Sequence, residues 1–314
     1  MVITCILLVS GMILLVKGAD LFVDGSCNIA RALKIPPLVI GLTLVSIGTS
    51  APEASVSLIG SIKGLNDLSF GNVIGSNIFN TLLISGLSAL IIPTAIGKDV
   101  KKYDLPAMLV LYLMLILFAF VITPLKIDVF EGVILFVLFI SYAVWLILRA
   151  KKSGSPQQNS KAVKKGTLIK SVLFAALGLA GIIFGGKLVV DNASKIAKAF
   201  GMSESLVGLT IVAAGTSLPE LVTSVVAAIK KENDIAIGNI VGSNIFNIAF
   251  ITGLSSAISP IALTHSSLAD LLVMLASGAL IAVFALFSNK ITRTGGALFV
   301  IMYIGYLTYI IIRN

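Results

Sequence analysis

Charge is what this sequence has least of. Only 12% of its residues are Asp, Glu, Lys or Arg, against about 25% in an ordinary soluble domain. With 57% hydrophobic residues and a mean hydropathy of +1.07, a water-soluble globular chain is excluded. Cysteine is scarce too. Cys5 and Cys27 both lie near the N-terminus and form no CxxC pattern, so neither a thiolate metal site nor a disulfide is expected. The single histidine, His265, falls in an expected loop and excludes a multi-histidine metal centre. No HExxH is present, nor any serine–histidine or paired-aspartate constellation, so neither an enzyme nor a bound cofactor is expected. The formal net charge of +9 does not imply a nucleic-acid partner, because in a membrane chain surplus Lys and Arg mark cytoplasmic loops.

What is there is a series of long apolar runs. A bilayer span needs about 20 such residues. That rule places ten spans, at 2–23, 36–62, 69–92, 105–123, 128–149, 168–190, 204–229, 235–259, 267–287 and 293–312. The first run, MVITCILLVSGMILLVKGAD, has no basic leader and no small-residue cleavage site, so it is expected to be a span rather than a signal peptide. The one strongly hydrophilic connection is RAKKSGSPQQNSKAVKKGTLIK, 149–170. With the N-terminus outside, 17 of the 23 basic residues fall on the inner side. The expected topology therefore has both termini outside and the linker in the cytoplasm of a plasma (inner) membrane.

The chain also repeats itself. GADLFVDGSCNIARAL (18–33) aligns with GGKLVVDNASKIAKAF (185–200), GLTLVSIGTSAPE (41–53) with GLTIVAAGTSLPE (208–220), and GNVIGSNIFN (71–80) with GNIVGSNIFN (238–247). The offset is 167 throughout, and about 35 of the 76 pairs from Gly18 to Pro93 are identical without a gap. Each copy holds five spans. Five is odd, so the second copy enters the membrane from the opposite side, which is the inverted-repeat plan of alternating-access transporters. The expected fold is an all-α polytopic membrane protein of ten transmembrane helices, arranged as two inverted five-helix repeats with broken helices at the core. The expected division is 1–148, a basic cytoplasmic linker 149–167, and 168–314.

Twelve of the 14 acidic residues fall at expected span ends or loops. The remaining two, Glu53 and Glu220, lie deep in spans two and seven at repeat-equivalent positions, with no Lys, Arg or His at similar depth. A carboxylate there is costly unless a proton or cation compensates it. Pro52 and Pro219 remove an N–H and displace the carbonyl four residues back, at Gly48 and Gly215, so a helix break is expected over each stretch. Such irregular backbone is tolerated at membrane depth only inside protein or beside a wet cavity. Freed carbonyls, the hydroxyls of Thr49, Ser50, Thr216 and Ser217, and two carboxylates make an all-oxygen environment that suits Na⁺ and Ca²⁺. In the second motif Gly71/Gly75 and Gly238/Gly242 suit close helix packing. Ser76 shares a helix face with Asn80, and Ser243 with Asn247, and Asn72 and Asn77 are expected off that face. Two carboxylates are neutralised by one Ca²⁺ or by two Na⁺, so the pair favours a divalent ion or several sodium ions competing for the same oxygens.

GTSAPE with GNVIGSNIFN, repeated as GTSLPE with GNIVGSNIFN, resembles the two alpha-repeats of the sodium/calcium exchangers of the cation/calcium antiporter superfamily. The resemblance implies a site between spans two, three, seven and eight, where three Na⁺ exchange for one Ca²⁺. It implies that Glu53 and Glu220 ligate Ca²⁺ and share Na⁺, with the carbonyls of Thr49 and Thr216 completing the Ca²⁺ shell. The hydroxyls of Ser50, Ser217, Ser76 and Ser243 and the carbonyls of Ser46 and Ala213 would serve Na⁺. Asn80 and Asn247 would line the middle, and spans one and six would slide over the core. Potassium-dependent relatives carry aspartate where this chain has Asn247, so K⁺ dependence is not expected. The substrates it implies are Na⁺ and Ca²⁺, and the expected surrounding partner is the lipid bilayer, with no obligate protein partner evident. A proton- or potassium-coupled antiporter stays open as an alternative. A cation channel is the alternative of a different class, disfavoured because channels build charged rings by rotational symmetry.

Overall fold

The computed structural model describes residues 1–153, 165–202 and 213–313. Twelve helical segments follow in chain order: α1 Val2–Leu33, α2 Pro37–Thr49, α3 Ala51–Ile62, α4 Leu68–Ile91, α5 Val100–Ile122 and α6 Val129–Ser153 in the first repeat, then α7 Lys165–Ala199, α8 Ala213–Thr216, α9 Leu218–Ile229, α10 Asn233–Ile258, α11 His265–Phe287 and α12 Arg293–Arg313. Eight of these are long and apolar enough to cross a bilayer, and α2 with α3 makes a ninth span bent by 51°. The tenth corresponds to α8 and α9. The start of its expected range, 204–229, falls at 203–212, outside the described residues.

Several boundaries differ from the sequence expectation. α1 does not stop at residue 23 but runs 32 residues, until Lys34 adopts φ 56 and ends it. That is about 48 Å of helix, well over a hydrocarbon core of about 30 Å. Asp20 and Asp24, expected at a span end, therefore lie within the helix. Helix also covers both ends of the expected linker, in α6 as far as Ser153 and in α7 from Lys165. His265, expected in a loop, is the first residue of α11, behind the capping residue Thr264.

α10 is almost wholly buried and α4 largely so, while α1, α6 and α12 face outward with exposed Ile, Leu and Val. Lipid is as apolar as leucine, so small residues and polar links carry the packing instead. α1 and α7 pack backbone to backbone. A Cβ on Gly18 would stand 2.7 Å from the Ile182 nitrogen, and one on Gly178 would stand 2.5 Å from the Phe22 nitrogen. Two short antiparallel ribbons, β1 (Thr94–Ala95) with β4 (Lys290–Ile291) and β2 (Lys126–Ile127) with β3 (Ile261–Ala262), stitch each repeat to the other.

A second pair of links recurs in both halves. Asp104 Oδ1 accepts from the Tyr142 hydroxyl (3.0 Å) and from Arg149 (3.4 Å). Asp270 accepts from the Tyr306 hydroxyl (3.1 Å) and from both terminal nitrogens of Arg313 (3.0 Å each). Arg149 lies over the Trp145 ring and Arg313 over the Tyr309 ring. Tyr-x-x-Trp/Tyr-x-x-x-Arg is thus a repeated signature, tying α5 to α6 and α11 to α12.

Candidate functional site

Both helix breaks occur one residue after the threonine of the GTS motif. Ser50 has φ −81 and ψ 8, and Ser217 has φ −90 and ψ 5, so neither continues the helix behind it. Pro52 and Pro219 then sit in the first turn of α3 and α9, where a missing N–H costs nothing. The expectation assigned the break to Gly48–Pro52 and Gly215–Pro219 without choosing a residue. Gly48 itself is still helical, in the Ser46–Thr49 turn, and Gly215 lies in Ala213–Thr216. These glycines serve close approach rather than chain reversal. A Cβ at Gly48 would press on Leu179 and Phe22, and one at Gly215 would collide with Val190.

The break brings the two glutamates into a crosswise pair of contacts. Glu53 is fully buried and accepts at Oε1 from the hydroxyl of Ser217, in the other repeat, at 2.8 Å. Glu220 is buried and accepts at Oε1 from the hydroxyl of Ser50 at 2.7 Å. Ser76 Oγ stands 3.0 Å from Ser217 Oγ, which places the second motif on the same cluster. None of the ion pairs among the described residues involves either glutamate.

Five buried side-chain oxygens of the expected set have no hydrogen-bond partner: Glu53 Oε2, Glu220 Oε2, Asn80 Oδ1, Asn247 Oδ1 and Ser243 Oγ. An unsatisfied buried acceptor costs about 1–3 kcal/mol, more when charged. Two carboxylate oxygens and neutral oxygens are the donor set of a hard cation. Among the described residues no third acidic, cysteine or histidine side chain joins them in a metal cluster.

The remaining expected residues divide. Asn80 and Asn247 sit in π-helical turns, Phe79–Ile84 and Phe246–Thr252. There Ser85 and Thr252 donate to their carbonyls, each at 3.2 Å. Such turns recur at functional sites because they re-aim side chains. The amides are held crosswise, Asn80 Nδ2 by Asn244 Oδ1 (3.3 Å) and Asn247 Nδ2 by Asn77 Oδ1 (3.1 Å). Ser46 is buried, and its Oγ would stand 2.8 Å from a Cβ at Gly242, but its carbonyl accepts the Ser50 N–H at 3.0 Å. Ala213 opens α8. The Thr49 hydroxyl lies 3.0 Å from Asn239 Oδ1, with the Val45 and Ser46 carbonyls of its own helix at 3.1 and 3.3 Å, and the Thr216 hydroxyl lies 3.3 Å from Asn72 Oδ1. Sequence reasoning set Asn72 aside as off the Ser76–Asn80 face, although 72, 76 and 80 are spaced four apart and share one face, and it did not weigh the equivalent Asn239. The signal that points to them was present, since both belong to the repeated GN that opens the second motif.

Two inverted repeats that cross-bond buried carboxylates at their interface, with unpartnered oxygens and, among the described residues, no compensating cationic side chain, define a membrane transporter of the cation-exchanging class. The family model described as "Sodium/calcium exchanger protein" matches residues 3–148 and 170–312, and the chain belongs to that family. Among curated relatives, "Inner membrane protein YrbG" of Escherichia coli (strain K12) is 41% identical over 83% of this chain and 81% of its own. "Sodium/calcium exchanger MaX1" of Methanosarcina acetivorans is 32% identical over 96% and 97%. A solved structure of the sodium-calcium exchanger NCX_Mj, soaked with 2.5 mM Na⁺ and 0.1 mM Ca²⁺, superimposes with a TM-score of 0.86 at 34% identity, covering 98% of each chain.

Proposed function

We propose that this chain is a secondary active antiporter that exchanges three Na⁺ for one Ca²⁺ across the plasma membrane by alternating access, electrogenically and without K⁺. The observation that carries the reading is the crosswise pair, Glu53 held by Ser217 and Glu220 held by Ser50, each with one carboxylate oxygen left over. In this reading Glu53, Glu220 and the carbonyls of Thr49 and Thr216 hold Ca²⁺. Ser46, Ser50, Ser76, Ala213, Ser217 and Ser243 serve Na⁺, and Asn80 and Asn247 line the middle. Ca²⁺ neutralises two carboxylates and three Na⁺ overshoot by one charge, so each cycle moves net charge. An empty site leaves two buried negative charges uncompensated, which disfavours closure and couples the two fluxes. The amide of Asn247 adds no third negative charge, which is why K⁺ is left out. Names of similar proteins, MaX1 and NCX_Mj, support the choice of ions.

Alternation has a physical handle in α1. The ammonium of Lys230, at the end of α9, contacts the carboxylates of Asp20 and Asp24 at 2.7 Å each and the Asp20 carbonyl at 3.0 Å. Burial pulls the Lys230 pKa down, yet hydrogen bonds to Asp20 and Asp24 outweigh it and hold the pKa above the ordinary lysine value. The clasp pins one end of α1 to the core, on the inner side in the topology proposed, with both termini outside and the linker cytoplasmic. Lys187 stands at the repeat-equivalent of Asp20, so the same clasp does not form on α7.

The test is Na⁺-driven ⁴⁵Ca²⁺ uptake into proteoliposomes. Glu53→Gln and Glu220→Gln are each expected to abolish it, and uptake is expected to be indifferent to added K⁺. Retained uptake in both variants would sink the assignment.

A further inference from the structure

We infer that Asn72 and Asn239, which lie behind the carboxylates, are positioning residues that set the affinity of the site by fixing the threonines of the opposite repeat. Each uses its amide in the same way. Asn72 Nδ2 donates to the Glu53 carbonyl (3.2 Å) and to Ser57 Oγ (2.9 Å), while its Oδ1 accepts from Thr216 (3.3 Å). Asn239 Nδ2 donates to the Glu220 carbonyl (3.4 Å) and to Ser224 Oγ (2.9 Å), while its Oδ1 is the nearest acceptor for the Thr49 hydroxyl (3.0 Å), ahead of the Val45 and Ser46 carbonyls at 3.1 and 3.3 Å. Both amide hydrogens and the carbonyl oxygen are engaged. A flipped amide would set its oxygen against the glutamate carbonyl, so the orientation is determined.

The consequence lies in the pairing of consecutive residues. Thr49 and Ser50 both donate into the second repeat, one to Asn239 and the next to Glu220. Thr216 and Ser217 both donate into the first, one to Asn72 and the next to Glu53. Each Thr–Ser step is a two-pronged staple across the repeat interface, at the point where its helix breaks. The serine prong lands on the carboxylate. The threonine prong lands on the asparagine that also grips the backbone of that same glutamate. The asparagine thereby ties the position of a carboxylate in one repeat to the break in the other. It touches no ion itself, since its three bonds leave it facing backbone and hydroxyls.

This inference rests on the proposed ion exchange, and two readouts separate their failures. The first is the half-saturating Ca²⁺ and maximal rate of Na⁺-driven uptake in proteoliposomes. The second is the rise in melting temperature that Ca²⁺ gives the detergent-solubilised protein. Asn239→Ala and Asn72→Ala are each expected to raise half-saturating Ca²⁺ about tenfold, the effect of roughly one hydrogen bond, with the maximal rate within twofold. Thr49→Val, which keeps the backbone carbonyl and loses only the donor, is expected to do the same as Asn239→Ala. The double variant is expected to be no worse than the worse single, because both remove one prong. Unchanged half-saturation in both asparagine variants overturns the inference. So does full additivity, or a fall in melting temperature with unaltered Ca²⁺ response. If Asn239→Ala does not fold, Thr49→Val alone decides by the same criterion. A wild-type protein that Ca²⁺ stabilises but that shows no Na⁺-driven uptake contradicts the exchange reading and leaves the thermal-shift comparison to judge the asparagines.

Discussion

Ser50 and Ser217 do two jobs at the residue scale. Their backbones make the helix breaks, and their hydroxyls donate to the glutamate of the other repeat. A hydrogen bond to a charged group is worth about 1.5–3 kcal/mol, which is roughly a tenfold to hundredfold change in an equilibrium. Ser217→Ala is therefore expected to raise half-saturating Na⁺ by at least about tenfold, while Ser85→Ala, one turn beyond the site, has a smaller effect. Titration of transport against Na⁺ measures both. The motif residues were legible in the sequence, because a carboxylate, a proline and hydroxyls in an apolar run are individually conspicuous. The asparagines were overlooked, although Asn72 stands four residues before Ser76 and Asn239 four before Ser243, each on the same helix face as that serine. Their partners lie in the other repeat, which only the packed structure supplies.

The apolar runs fix the existence of helices but not their lengths. α1 exceeds its expected span because nothing between residues 23 and 33 breaks a helix, and charged residues there are tolerated once Lys230 meets Asp20 and Asp24. The close packing of α1 on α7 was also hidden, because glycine in an apolar run does not announce its partner. Replacing Gly18 by leucine puts a side chain where the Ile182 backbone stands, and overpacking costs about 1–3 kcal/mol. Gly18→Leu is expected to lower the melting temperature and slow uptake together. The Asp–Tyr–Arg clasps gave a weak signal at best, a tyrosine and an arginine seven residues apart in each half. Asp104 is fully buried and Arg149 nearly so. Arg149→Met strands that charge, a loss of about 3–5 kcal/mol, and is expected to lower the melting temperature by several degrees while Ca²⁺ still stabilises the protein that folds.

At the scale of the whole molecule, the inverted repeat makes one site from two copies. The constant offset of 167 foretold this from sequence alone, and the two exchanged ribbons and the crosswise glutamate contacts are its structural form. The two halves also depart from symmetry. Lys230 clasps α1, whereas Lys187 replaces the matching acid on α7. Lys230→Ala is expected to free that end of α1 and increase labelling of a cysteine placed at Ser26, a buried position on the same helix, by a reagent added from the inner side. Unchanged labelling would show that the clasp does not hold the gate.

The charge carried per cycle tests the central claim most directly. In proteoliposomes with imposed gradients, three Na⁺ exchanging for one Ca²⁺ gives a reversal potential that moves by about 180 mV per tenfold change in the Na⁺ gradient and about 60 mV per tenfold change in the Ca²⁺ gradient, in opposite senses. A current that ignores the Na⁺ gradient, or Ca²⁺ uptake with no current at any voltage, would contradict the account.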